Sequence, residues 1–149
     1  MYTVKLTELV EKMNLENMTP ELSLEDIEIS QMDVNRPALQ LADFFDYFDY
    51  HRIQIVGHVE YTYMEKLGLE LSMERLQKII SYKVPGIVFC RGMEVHPEFI
   101  EAAEKGGVPI LRSKAATSSF MGEVIRWLKV ELAPRMTVHG VLVDIYGEG

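Results

Sequence analysis

At 149 residues the chain has the length of one domain, or of one domain and the start of another. Hydrophobic residues make up 48% and charged residues 26%, an ordinary globular balance that excludes a disordered or low-complexity chain. The formal net charge of −8 sits entirely in the first third: residues 1–50 carry 11 acids and 3 bases, residues 51–149 carry 12 of each. Such a chain repels phosphate backbones and anionic lipid, so neither nucleic acid nor a membrane surface is expected as a partner. The acidic third reads as a solvated face or as a docking surface for a basic partner. The single cysteine, Cys90, excludes a disulfide framework and any Cys-rich zinc module. No apolar run approaches the roughly 20 residues that span a bilayer, and acids stand where a signal peptide needs an apolar core. The expectation is a soluble, cytoplasmic protein.

Val4 to Met13 is predicted as a short helix, with Leu6, Leu9, Val10 and Met13 on one face. Asn14 to Glu25 reads as loop, and Ile27 to Ile29 as a strand. Val34 to Pro37 is predicted as a turn, because proline drives the residue before it to an extended conformation. Ile53 to Val56 is a strand closed by Gly57, and Tyr61 to Leu67 a helix. Ser72 is expected to cap a helix from Met73 to Tyr82. Gly86 to Cys90 is a wholly apolar run of the kind found in buried parallel strands. Pro97 opens a helix that Gly106 and Gly107 stop. Val108 to Leu111 is a strand, and Thr117 to Ser119 are expected to cap a helix from Phe120 to Leu132, with Val124, Trp127, Leu128 and Leu132 on one stripe. A last strand is expected from Thr137 to Tyr146, and the Gly147-Glu148-Gly149 ending looks cut. This alternation predicts an α/β fold: three α/β/α layers around a mainly parallel or mixed sheet.

The chemistry-bearing patterns are incomplete. There is no P-loop, no H-E-x-x-H, no G-x-S-x-G and no G-x-G-x-x-G. His51, His58, His96 and His139 have no ligand-spaced partners, so surface or core histidine is the plain reading and no metal site is expected. Cys90 reads as a buried small hydrophobe. Asp43, Asp46 and Asp49 recur every three residues among aromatics, which in a helix makes one drifting acidic stripe. That stripe is either a packing segment with a wet edge or a set of oxygen ligands for a divalent cation. The aromatics from Phe44 to Tyr50 are also a self-association patch, with a monomer or weak dimer expected. Arg112 and Lys114 lead into Thr117, where a helix start either binds an anion or is simply capped by its own hydroxyls. Arg91 follows a strand's C-terminal end, the usual ligand edge of open α/β sheets. An anionic small-ligand site at Arg91, Arg112, Lys114 and Thr117 is therefore one expectation.

Five segments carry a resemblance: RPALQLADFFDYFDYHRIQIVG (Arg36 to Gly57), MERLQKI (Met73 to Ile79), VPGIVFCRGMEVHPEFIEAA (Val84 to Ala103), VPILRSKAATSSF (Val108 to Phe120) and LAPRMTVHGVLVDIYGEG (Leu132 to Gly149). In this order they resemble the N-terminal part of the bacterial HPr kinase/phosphorylase family, most specifically in the final H-G-V-L-V-D-I-Y-G, which in that family directly precedes the phosphate loop. Ala38 and Asp43 stand where the pattern has glycine, and His96 where it has proline. The resemblance implies a parent enzyme that phosphorylates a serine of HPr with ATP or pyrophosphate and Mg²⁺. It also implies the reverse phosphorolysis, in carbon catabolite repression. It implies a homohexamer, and an N-terminal α/β unit similar to the N-terminal domains of Mur ligases. On this view residues 1–133 form a noncatalytic, regulatory or architectural domain. Residues 134–149 are the linker and first strand of a P-loop kinase domain that the chain lacks. His139 then matches a family active-site residue, the chain carries no cofactor of its own, and it is inactive alone.

Overall fold

The computed structural model describes residues 2–133, and the last predicted strand lies outside them. The chain runs β1 (Val4–Lys5), α1 (Leu6–Lys12), β2 (Glu16–Asn17), β3 (Glu28–Ile29), β4 (Val34–Asn35), α2 (Ala38–Leu41), β5 (Ile53–Val56), α3 (His58–Leu67), α4 (Leu69–Ser81), β6 (Ile87–Phe89), α5 (Pro97–Gly106), β7 (Ile110–Arg112) and α6 (Thr117–Glu131). The main sheet has the order β2-β7-β6-β5-β4. Strands β4 to β7 are parallel, and β2 closes the β7 edge antiparallel. A separate antiparallel pair joins β1 to β3, Val4 opposite Ile29.

The apolar runs of β5, β6 and β7 explain the layers. Both faces of a parallel sheet are covered, so alternate residues of one strand enter different cores. Ile53, Ile55, Val88, Cys90 and Leu111 point to a core completed by α1 (Leu6, Leu9) and α6 (Phe120, Val124, Leu128). Val56, Ile87, Phe89 and Ile110 point the other way, to Leu41 of α2, Met64 of α3, Leu76, Ile79 and Ile80 of α4, and Phe99 and Ala103 of α5. The molecule is the expected three-layer α/β/α sandwich with a mixed sheet.

Several boundaries differ from the sequence reading. Val4 and Lys5 are strand, because pairing with Glu28 and Ile29 outweighs helix propensity. Val34 and Asn35 form an edge strand beside Ile53 and Gln54, so the expected turn begins only at Pro37, the N-cap of α2. Ser72 caps nothing: it is buried inside α4, and its hydroxyl donates 2.7 Å to the Met64 carbonyl of α3. The break between the two helices is Gly68, whose φ of 88° few other residues adopt. Pro97 does open α5, and Gly107 ends it at φ 75°.

The aromatic-acid segment is not a helix. Asp43 and Tyr47 both take left-handed φ values, 69° and 58°, which break any helical stripe. Phe45 stacks on Tyr82 with centroids 5.5 Å apart, and Phe48 meets the same ring edge-on at 5.1 Å. Lys78 lies over Phe45, 4.5 Å from its centroid, and binds Asp43 at 3.1 Å. Three buried or half-buried amides hold this loop. Gln54 donates to the carbonyls of Asp49 and Arg52 at 3.1 and 2.8 Å, while Asn35 donates to Gln54 at 2.6 Å and to Gln40 at 3.3 Å.

Candidate functional site at the strand ends

The C-terminal ends of β4 to β7 lie side by side, and loops close over them. Cys90 donates its N–H to the Val56 carbonyl at 3.0 Å, and Ser113 donates to Phe89 at 2.8 Å. Arg91 and Gly92, both with left-handed φ, turn the chain back and donate to Ala115 and Ser113 at 2.9 and 2.8 Å. Two helices begin at this edge on opposite faces of the sheet. Helix α3 starts immediately after Gly57 in one layer, and α6 starts at Thr117 in the other.

Thr117, Ser118 and Ser119 do not cap α6. They form its first turn, and the N-cap position is Ala116, whose methyl accepts no hydrogen bond. The first-turn N–H groups of α6 thus have no side-chain cap. Thr117 is only 7% exposed, and its hydroxyl has no hydrogen-bond partner among the described residues. It faces Gly57. A Cβ on Gly57 would stand 2.8 Å from Thr117 Oγ1 and 2.5 Å from Arg36 Nη2, so the absence of a side chain lets these groups close over the backbone.

Arg36 follows β4 and reaches across β5. Its Nη2 donates 2.8 Å to Glu60 Oε1, and the same carboxylate oxygen accepts the Gly57 N–H at 2.8 Å. Glu60 is buried and Arg36 is half-buried, so a charge taken out of water is matched by one at its rim. Cys90 lies beneath. Burial pushes its thiol from 9.0 up to about 11, while the Thr117 hydroxyl, Arg36 and Arg91 pull it down and Glu60 pushes it up. The Thr117 hydroxyl thus faces the thiol and favours its ionised form. At physiological pH the thiol is protonated and inert, the buried hydrophobe expected of this run.

The structure separates the sequence-predicted residues. Arg91 is exposed on its turn beside this edge. Arg112 is bound to Glu16 through Nε at 3.1 Å and Nη2 at 2.8 Å, and donates Nη1 to the Met93 carbonyl at 3.4 Å. It lines a cavity of about 240 Å³ with Lys114, Asn14 and Glu16. Thr117 is not among that cavity's lining residues. His51, His58 and His96 are exposed, and His139 lies outside the described residues. No group of three or more His, Cys, Asp or Glu that could hold a metal ion occurs among the described residues. No described helix is long and apolar enough to cross a membrane. Arg36, Gly57 and Glu60 escaped the sequence reading as site residues. Their signal was present: a helix-starting Gly57 followed three residues later by Glu60 has the spacing in which a carboxylate folds back onto the N-cap N–H.

The family model for the HPr serine kinase N terminus matches residues 4–128. The chain belongs to the HPr serine kinase N-terminal family. Relatives named HPr kinase/phosphorylase include that of Lachnoclostridium phytofermentans, 62% identical over 149 residues, all of this chain and 48% of the relative. The protein of Alkaliphilus metalliredigens is 42% identical over the same span and shares. That of Caldanaerobacter subterraneus is 40% identical over 148 residues, covering 94% of this chain and 48% of the relative. The chain thus spans about half the length of the curated relatives it matches. The HPr kinase N-terminal match covers every described element from β1 through most of α6, so the family likeness and the three-layer fold describe the same residues.

Proposed function

We propose that this chain is the N-terminal, noncatalytic part of a bifunctional HPr kinase/phosphorylase. The whole enzyme phosphorylates a serine of HPr with ATP or pyrophosphate and reverses the reaction by phosphorolysis, in the cytoplasm and in carbon catabolite repression. The observation that carries this reading is the 62% identity over the full chain to a protein of that name, of which the chain spans 48%. The chemistry supports the division of labour. Phosphoryl transfer rests on a phosphate-cradling loop, a lysine and Mg²⁺. No such loop occurs in the sequence, and the described strand ends present one buried thiol and one paired carboxylate instead. HPr, ATP, pyrophosphate, Mg²⁺ and the homohexamer are thus assigned to the remainder of the enzyme. Residues 134–149 form the passage to it, with His139 at its active site. The three-layer domain acts as a regulatory or architectural unit.

The test is transfer of labelled phosphate from ATP to HPr in the presence of Mg²⁺. The 149-residue chain alone is expected to give no serine phosphorylation. The same chain fused to the C-terminal half of the Lachnoclostridium relative is expected to give an active kinase. Phosphorylation by the chain alone, or an inactive fusion that nevertheless folds, would overturn the proposal.

A further inference from the structure

We infer that the cavity between α3, α4 and α5 binds a small organic amine, its ammonium group at the Glu65 rim and its apolar body on Met64, Leu69 and Phe99. The cavity has a volume of about 220 Å³ and lies in the helical layer opposite α1 and α6. An apolar cavity of roughly 150 Å³ already holds a benzene-sized ligand. The space forms where the chain breaks between two helices. Gly68, at φ 88°, ends α3 and starts α4, and residues on both sides of it line the opening. Aromatic rings wall the rest. His96 and Phe99 stand at 81° to one another with centroids 5.1 Å apart, and Tyr61 lines the same space. The faces of Tyr and Phe rings attract an organic cation.

The polar groups of the lining decide the charge of the ligand. The Tyr61 hydroxyl donates its proton to the Glu94 carbonyl at 2.7 Å, and the buried Ser72 hydroxyl donates to the Met64 carbonyl at 2.7 Å. Gly68 commits its N–H to the carbonyls of Met64 and Glu65, at 3.1 and 3.3 Å. What the two hydroxyls have left is acceptor capacity, a carboxylate only accepts, and a neutral imidazole at His96 adds one acceptor nitrogen. Glu65 and Glu94 are exposed and form no ion pair among the described residues. Burial, then Glu65, then Glu94 push the Tyr61 phenol above its ordinary value, so both carboxylates act on this rim and its field is negative. No described lysine or arginine lines the cavity. The helices that begin beside it, α4 and α5, carry Glu70 and Glu98 in their first turns, which offset their positive ends. An anion therefore finds no lysine or arginine to bind, whereas an ammonium brings donors and no acceptor, the complement of this lining.

The experiment is a titration of the 149-residue chain with benzylamine at neutral pH and constant ionic strength, followed by amide ¹H–¹⁵N NMR. Benzyl alcohol and benzoate, of similar size, replace the positive charge with none and with a negative one. Saturable shifts are expected for benzylamine at Met64, Gly68, Leu69 and Phe99, with a dissociation constant on the order of 1 mM. Benzyl alcohol should bind about fivefold more weakly, and benzoate should not saturate. Glu65→Gln should weaken benzylamine binding about threefold and Glu65→Lys about tenfold, and neither should change the affinity for benzyl alcohol. Glu65 is exposed, so both variants keep the fold. Benzylamine shifts that do not saturate, equal affinity for benzyl alcohol, or unchanged affinity in Glu65→Lys would overturn the inference. Saturable shifts confined to the acidic first third would do the same.

Discussion

Cys90 shows how one residue's surroundings decide its chemistry. Its side chain is fully buried between the sheet and α6, and its thiol is pushed up to about 11. Ionisation is therefore harder in the folded chain than in the unfolded one. The resulting penalty is absent below pH 9, where both states keep the proton. As pH rises above 9 the unfolded chain loses its proton first, so the folded state becomes relatively less stable until about pH 11. The expected loss is on the order of 2 kcal/mol. Urea unfolding of the chain and of Cys90→Ala across this range checks it: the stability gap between them should narrow as pH rises, and a constant gap would refute the burial argument. This residue's environment was legible from the apolar run around it. Thr117 was not: whether a hydroxyl caps a helix or sits in its first turn is a shift of one position, and propensity does not resolve that.

At the scale of elements, the periodic helices and the buried strands were readable because their apolar spacing directly reflects which face is covered. The strand Val34–Asn35 was not, since two residues at a sheet edge carry no period and owe their conformation to Ile53 and Gln54 beside them. The segment from Asp43 to Tyr50 misled for a related reason. A spacing of three suits a helix, but it suits equally a series of turns that puts Phe45 and Phe48 inside and the aspartates outside. Here the amides of Asn35, Gln40 and Gln54 fix those turns. Gln54 is fully buried, so Gln54→Leu leaves the carbonyls of Asp49 and Arg52 without that donor. The expected cost is about 2–4 kcal/mol, against near-neutral behaviour for a leucine at an ordinary core position. Chemical denaturation measures it, and a change under about 1 kcal/mol would mean the loop is held by its aromatic contacts instead.

For the whole molecule, the sandwich architecture was legible from alternation alone, whereas the partner of each layer was not. The layer opposite α2 to α5 is assembled from the two sequence-distant helices α1 and α6. Val4, Leu6 and Leu9 are each at most 3% exposed there. Burial of three such side chains contributes about 5–9 kcal/mol, comparable with the whole stability of a domain. Removal of residues 1–13 should therefore abolish cooperative thermal unfolding and expose dye-binding apolar surface. A sharp transition in the shortened chain would show that α6 covers the sheet unaided.

That arrangement also has a consequence during synthesis. The ribosome makes α1 first, but α6 begins more than 100 residues later, which at about 5–20 residues per second is a delay of roughly 5–20 s. Through this interval one side of the nascent sheet lacks its second helix. Isoleucines and valines that end in the core then stand open to chaperones or to neighbouring chains. The acidic first third, already outside the exit tunnel, would keep the emerging polypeptides apart by mutual repulsion until the last helix arrives.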